Sequence, residues 1–307
     1  VTEKVFEDAD NLTQESSIII KGIVKEDKRA PGGYEVRIKD LQLVHLADPE
    51  YPISKKDHGV DFLMSFRHLW IRSPRQIAIL KVRAEVIKAC RDFLDERGFT
   101  LTDSPILTPS AVEGVATLFE VPYFGDKAFL TQSGQLYVEA TIAAFGKVYC
   151  FGPTFRAERS KTPRHLTEFW MIEPEMAFFN FEDNLKLQEE MVTYIVKRTL
   201  EKRNRELEVL KRDVKPLKKV EPPFDRISYT EAIEMLQKAG YRIKWGEDLG
   251  TPHEKFISLQ FEKPVFVHRY PTKVRAFYMQ PDPDNPEVVL CADLMAPEGY
   301  GEIIGGS

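Results

Sequence analysis

Residues 155–175 read Phe155-Arg156-Ala157-Glu158-Arg159-Ser160-Lys161-Thr162-Pro163-Arg164-His165-Leu166-Thr167-Glu168-Phe169-Trp170-Met171-Ile172-Glu173-Pro174-Glu175. Two strand-like runs bracket a polar, basic loop, which is the pattern of an antiparallel hairpin. The two-residue alternation of a strand puts Arg156 and Glu158 on one face. Lys161, Arg164 and His165 fall in or beside the loop, so a polyphosphate would meet several cations there. Phe169 offers a ring on which a flat base could stack. The same residues also read as a charged hairpin with surface ion pairs, the commoner fate of an arbitrary hairpin.

Upstream, Ser73 can cap a long helix, with Pro74 at its first position and Gln76 completing a capping box. Ile77, Leu80, Ala84, Ile87, Cys90 and Leu94 fall on one helical face. Gly98 suits the stop. Around the hairpin, strands are expected near 128–132, 147–156, 166–177, 264–268, 274–279 and 287–294, and helices near 134–145, 182–209 and 229–239. Residues 17–24 and 34–44 read as two further strands joined by the turn Ala30-Pro31-Gly32-Gly33. Two strands do not make a stable domain. Residues 1–46 are therefore expected to be the C-terminal part of a small β domain, 47–74 a linker, and 75–307 the main domain. Helices around a largely antiparallel sheet make the expected fold class α+β.

The bulk numbers leave this open to many functions. The chain has 307 residues, of which 43% are hydrophobic and 30% charged, and a formal net charge of −5. That charge argues against a strongly basic nucleic-acid binder but allows one local basic face. The sequence holds no apolar run long enough to span a membrane and no signal-peptide pattern at its start, so no membrane partner is expected. Cys90, Cys150 and Cys291 are far apart and form no CxxC pair, which suggests reduced thiols packed in a cytoplasmic protein. The basic stretch Lys197-Arg198, Lys202-Arg203, Arg205 and Lys211-Arg212 is interleaved with Glu and reads as a solvated helix face.

The order Arg-x-Glu, basic loop, His-x-x-x-Phe is similar to motif 2 of the class II aminoacyl-tRNA synthetases. The resemblance extends over residues 10–307. Arg97-Gly98-Phe99 followed by Pro105-Ile106-Leu107 resembles motif 1, which implies a homodimer through that helix and strand. Thr131-Gln132-Ser133-Gly134-Gln135-Leu136-Tyr137-Val138-Glu139 is similar to the Gln-Ser-Pro-Gln-Leu-Tyr/Phe-Lys run of the aspartyl enzymes. The Lys there reads the substrate carboxylate; here Val138 and Glu139 stand in its place. A site without the cation and with a carboxylate suits a neutral amide, although Glu139 on its own reads as an exposed helix residue. Ser110-Ala111-Val112-Glu113-Gly114 resembles the loop that closes over the amino acid. Tyr270-Pro271, Arg275-Ala276-Phe277-Tyr278, Asp293-Leu294 and Gly301-Glu302-Ile303-Ile304-Gly305-Gly306-Ser307 fit the asparaginyl/aspartyl subgroup.

The resemblance to the asparaginyl branch implies a class II antiparallel sheet preceded by the remnant of an OB-type barrel that reads the anticodon. It implies a ligase that activates asparagine with ATP and transfers it to tRNA(Asn). Arg156 would be the catalytic residue, binding the α-phosphate and the amino-acid carboxylate. Glu158 would meet the adenine amino group, Arg164 and His165 the phosphates, and Phe169 the adenine ring. Asp293 and Glu302 would hold Mg²⁺ against ATP, as two carboxylates with phosphates and waters can. Glu113, Gln132, Ser133, Gln135 and Glu139 would bind the amino acid. Pro163 departs from the basic residue usual in the loop. In the family, Ser307 is followed by Gln-Arg and later by motif 3, so a chain ending at Ser307 is expected to be incomplete, and poorly soluble or inactive unless a second polypeptide supplies the rest. An aspartyl-tRNA synthetase, an asparagine synthetase-like paralogue and a non-catalytic paralogue that binds RNA or a partner are the alternatives. Val138 and Glu139 speak against the first. Residues 17–44 speak against the second, and the intact Arg156, Glu158, His165 and Phe169 against the third.

Overall fold

The computed structural model describes residues 3–54, 56–109, 118–159 and 165–307. The chain divides into two compact units, Val1–Ile77 and Ala78–Ser307.

The first unit is built on a hairpin. After helix α1 (Glu3–Asp10), β1 (Ser17–Glu26) and β2 (Tyr34–His45) pair antiparallel from Ser17↔His45 to Glu26↔Tyr34. The register shifts between Lys21 and Gly22. A side chain at Gly22 would begin 2.3 Å from the Arg37 carbonyl oxygen, so the bulge requires glycine there. Thr13 Oγ1 donates to Ala47 O (2.5 Å) and Ala47 N to Ser16 Oγ (3.1 Å), closing the base of the hairpin. Leu41 is buried, whereas Ile19, Ile23, Val24 and Val36 are exposed. Short helices α2 (Val60–Ser65) and α3 (Arg67–Trp70) follow.

Helix α4 runs Pro74–Asp95, with Gln76 N donating to Ser73 Oγ (3.4 Å) at its start. Phe99 N donates to Leu94 O (3.1 Å) across Gly98, whose φ of 77° only glycine adopts freely. The buried stripe of α4 differs from the expected one. It consists of Ala78, Glu85, Ala89, Cys90, Phe93 and Leu94, while Ile77 and Leu80 are exposed. The reason is Glu85. An acid seals part of the buried face through ion pairs to Arg198 and Arg203, and a count of apolar residues passes over it.

In the second unit, β3 (Thr100–Leu101) lies parallel to β7 (Lys147–Phe155), and β7 pairs antiparallel with β8 (Glu168–Met176) from Lys147↔Met176 to Phe155↔Glu168. A small sheet joins β4 (Leu107–Thr108), β5 (Glu120–Tyr123) and β6 (Asp126–Leu130) in the order β4-β6-β5. Helix α5 (Gln135–Phe145) connects it to β7. Another sheet has the order β12-β11-β10-β9, from β9 (Asp225–Ser228), β10 (Val265–His268), β11 (Ala292–Ala296) and β12 (Gly301–Gly306). Its pairs are antiparallel except β9 with β10.

Helix α6 (Phe181–Lys202) underlies both large sheets. Leu187 and Met191 pack with Tyr149 and with Phe151 and Ile172 of the hairpin, while Leu185 and Val192 pack with Phe266 and Leu294 of β10 and β11. Asn180 and Asp183 form a reciprocal capping box at its start. The helix expected over 182–209 is in fact two, because the chain breaks at Arg203 before α7 (Asn204–Val209). Helices α8 (Tyr229–Lys238) and α9 (Thr251–Ser258) cover the other face of β10 and β11, with Tyr229, Ile233, Leu236 and Ile257 against Val265, Val267 and Met295.

Residues 274–279, expected as a strand, are not one. A 3-10 turn spans Thr272–Val274, and the chain then bends, with Met279 N donating to Ala276 O. The strand expected from 287 begins only at Ala292, since Val288 and Val289 make isolated bridges to Pro271 and Pro281. Prolines cannot donate to a continuous ladder. The α+β class with helices flanking a mainly antiparallel sheet is the observed architecture.

Candidate active site

The β7–β8 register decides which side chains share a face. Thr154 opposes Phe169, Cys150 opposes Glu173 and Val148 opposes Glu175. Arg156 and Glu158 continue the alternation of Thr154, so Arg156, Glu158, Phe169, Glu173 and Glu175 belong to the face turned away from α6. At the loop end of the hairpin Arg156 N donates to Thr167 O (3.0 Å), which fixes the base of the arginine side chain. Its guanidinium lies 5.4 Å from the centre of the Phe169 ring, within cation–π range. Arg156, Glu158, His165, Leu166 and Phe169 line one cavity of about 240 Å³. The structure thus gathers four of the expected nucleotide residues. Arg164 and Glu113 lie outside the described residues.

The segment that opens α5 is held by β8. Ser133 Oγ donates to Glu173 Oε1, and Gly134 N donates to Glu173 Oε2 (2.9 Å). Thr131 Oγ1 donates to Ser133 O (2.7 Å), and Gln135 N to Ser133 Oγ (3.1 Å). Gln132 and Ser133 are buried. Gln135 Nε2 donates to Glu139 Oε1 (2.9 Å), so the exposed Glu139 carboxylate is oriented from its own helix. Gly134 admits no side chain, for a Cβ would begin 2.5 Å from Cys150 Sγ and 2.7 Å from Ser104 Oγ. Val138 is core, packed with Val148 and Cys150 on the same face of the hairpin as Glu173 and Glu175.

The motif reading passes over Glu173, which holds Ser133 and Gly134, and its neighbour Glu175, although alternation onward from Phe169 places both on its face. Glu175 is pushed up to about 7, first by burial and then by the carboxylates of Glu139 and Glu173. Cys150 Sγ donates to Glu173 Oε2 (3.2 Å), and burial with the Glu173 charge pushes its thiol up to about 12. A second cavity of about 240 Å³ opens beside this segment, with Ser104, Thr131, Gly134, Cys150, Trp170 and Glu173 in its wall. It lies where β7 changes neighbour. Thr102 N donates to Tyr149 O and Phe155 N to Thr131 O, and the intervening edge holds Pro153, which has no N–H to leave unpaired.

Asp293 and Glu302 meet across Gly305. Asp293 on β11 directly opposes Gly305 on β12. A side chain at Gly305 would begin 2.8 Å from Glu302 Oε1 and 3.3 Å from Asp293 Oδ1. Arg275 Nη2 donates to Asp293 Oδ2, and the Arg275 guanidinium stacks 3.6 Å from the centre of the Tyr270 ring. Burial raises Asp293, against the opposing pull of Arg275. Glu302 N donates to Glu254 Oε2 (3.1 Å). Two carboxyl groups on one side of an ion pair make an oxygen donor set that suits a hard divalent cation.

A family model for class II tRNA synthetases (D, K and N) matches residues 59–307. The asparagine–tRNA ligase of Symbiobacterium thermophilum is 63% identical, over 100% of this chain and 72% of that protein. That of Pelotomaculum thermopropionicum is 61% identical, over 99% of this chain and 70% of that protein. The crystal structure of asparaginyl-tRNA synthetase from Pyrococcus horikoshii complexed with asparaginyl-adenylate superposes with a TM-score of 0.94 at 48% identity, covering 100% of this chain and 71% of that one. A hairpin that groups Arg156, Glu158, His165 and Phe169, on a fold and a sequence this close to theirs, makes the chain a member of the asparagine–tRNA ligases among the class II tRNA synthetases.

Proposed function

We propose that the chain activates asparagine at the β7–β8 hairpin, with ATP in the cavity of Arg156, Glu158, His165 and Phe169. That cavity is the observation that carries the reading. The adenine ring stacks on Phe169, Glu158 accepts from the adenine amino group, and Arg156 and His165 face the phosphates, with Arg164 assigned the same task. Asparagine lies against Gln132, Ser133, Gln135 and Glu139, and Glu113 receives its α-amino group. A carboxylate oxygen of asparagine attacks the α-phosphorus, the bond to the β-phosphate oxygen breaks, and pyrophosphate leaves. Arg156 opposes the charge that grows on the α-phosphate oxygens. The terminal ribose hydroxyl of tRNA(Asn) then attacks the adenylate carbonyl, and AMP leaves. Asp293 and Glu302 would hold Mg²⁺, which, when bound, neutralises phosphate charge.

The Glu139, Glu173 and Glu175 carboxylates favour the neutral amide. An aspartate side chain would bring a further negative charge beside a group that burial, and then its acidic neighbours, already push up to about 7. Residues 1–46 are assigned to an anticodon-binding OB-type barrel, 47–74 to a linker and 75–307 to the catalytic domain. A homodimer through motif 1 is supported by apolar side chains left exposed in that region, Ile79 and Leu80 on α4 and Leu101, Ile106 and Leu107 after it. A cytoplasmic site of action fits three free, buried cysteines. Among the described residues no helix is long and apolar enough to cross a membrane.

Phe169→Ala tests the nucleotide assignment. Stacking on an aromatic ring is worth about 1–3 kcal/mol per base, so ATP affinity measured by calorimetry should fall about 5- to 150-fold while asparagine affinity holds. Unchanged ATP affinity would remove the hairpin from nucleotide binding.

A further inference from the structure

We propose that Gly305 is a positioning residue for the nucleotide's magnesium, because its missing side chain is what lets the carboxylates of Asp293 and Glu302 converge. The inference rests on the assignment of those two acids to Mg²⁺. Gly305 sits on β12 directly opposite Asp293, and a Cβ there would stand 2.8 Å from Glu302 Oε1 and 3.3 Å from Asp293 Oδ1. The first distance is shorter than a carbon and an oxygen tolerate, so one of the two acids would have to move. Asp293 cannot do so readily. It is buried, and its Oδ2 is held by Arg275, whose guanidinium is itself stacked on the fully buried Tyr270. Glu302 is exposed and reaches the gap with the far end of a flexible side chain. An alanine at 305 therefore turns the Glu302 carboxylate away and leaves Asp293 in place.

The backbone does not require glycine here. Gly305 is absent from the residues with positive φ, and alanine is the better strand residue of the two. The position thus separates function from folding: the substitution should spare the fold and open the pair. Outer contacts that orient metal ligands typically change metal affinity by about 10–100-fold when lost.

The test compares the complete enzyme that carries this chain with its Gly305→Ala and Glu302→Gln variants. Binding of a non-hydrolysable ATP analogue is followed by calorimetry as Mg²⁺ is titrated, beside a thermal melt of each protein. Gly305→Ala is expected to raise the Mg²⁺ concentration for half-maximal binding about tenfold, as Glu302→Gln does, with a melting temperature no lower than the parent's. If Gly305→Ala titrates like the parent while Glu302→Gln shifts, the inference is overturned and the metal assignment stands. If Glu302→Gln also titrates like the parent, the metal assignment falls and takes the inference with it. A Gly305→Ala chain that melts well below the parent overturns it as well, since the space for a Cβ would then be needed by the fold.

Discussion

Arg156→Ala should lower asparagine-dependent exchange of pyrophosphate into ATP by about 10²–10³-fold, the usual loss when one preorganised donor is taken from a developing negative charge. The size of the effect follows from where the arginine stands. It is half-buried at the end of β7, its backbone N–H is tied to Thr167 O, and its guanidinium lies over Phe169 in the wall of the cavity. Such a group is oriented before the reaction begins, so its charge opposes the growing phosphate charge without reorganisation. Lysine should restore only part of the rate, because a single ammonium does not reproduce the planar fork. Exchange kinetics of the two variants at saturating ATP decide the matter. A rate within about threefold of the parent's would leave Arg156 a structural residue of the hairpin.

Arg198→Met should lower the stability of the second unit by about 2–4 kcal/mol, between the limits for exposed and for fully buried ion pairs. Arg198 Nε donates to Glu85 Oε1 (2.7 Å), and Nη1 donates to Asp92 Oδ2 (2.6 Å) and Tyr194 Oη (3.0 Å). The Glu85 side chain is only 6% exposed, and its other cation is Arg203 at 2.8 Å. Methionine keeps apolar volume between α4 and α6 but leaves the Glu85 charge half-compensated. The hydrogen bond from Arg198 is the main cause that holds Glu85 below the usual carboxylate range, and Lys88 with Arg198 does the same for Asp92. Lowered folded values mean a contribution present at neutral pH and lost as pH falls through them. The gap between parent and variant in urea denaturation should therefore be full at pH 7 and close in acid, below the ordinary carboxylate range. Equal stability at pH 7 would show that the network adds nothing.

What the sequence disclosed, and what it withheld, follows physical lines. The hairpin of residues 147–176 was legible because strand alternation and a basic loop share one short segment, and its register then orders Phe169, Glu173 and Glu175 without further information. Gly98 and Ser73 were legible because caps are local chemistry. The buried stripe of α4 was not, since an acid paired with arginines more than a hundred residues away stands within it. Residues 274–279 were misread for a related reason. Arg275 is drawn to Asp293 and stacked on Tyr270, and these distant contacts outweigh the local strand pattern. The motif resemblance marked Ser133 and Gln135 but passed over Glu173, which fixes the segment that carries them. Such a partner lies 40 residues away and becomes visible only when the strands are laid side by side.

The central claim is that this site activates asparagine rather than aspartate. Val138 is packed in the core at the position where the resemblance implies a lysine in the aspartyl enzymes, and the carboxyl groups of Glu139, Glu173 and Glu175 lie close enough to raise one another's charge cost. A site arranged for N–H donors can reject the isosteric acid strongly, by about 10⁴-fold or more in favourable cases. The direct measurement is pyrophosphate exchange into ATP by the complete enzyme that carries this chain, with asparagine and aspartate assayed side by side at equal concentration. Asparagine is expected to support exchange at least about 10³-fold faster than aspartate. Equal or faster exchange with aspartate would contradict the account.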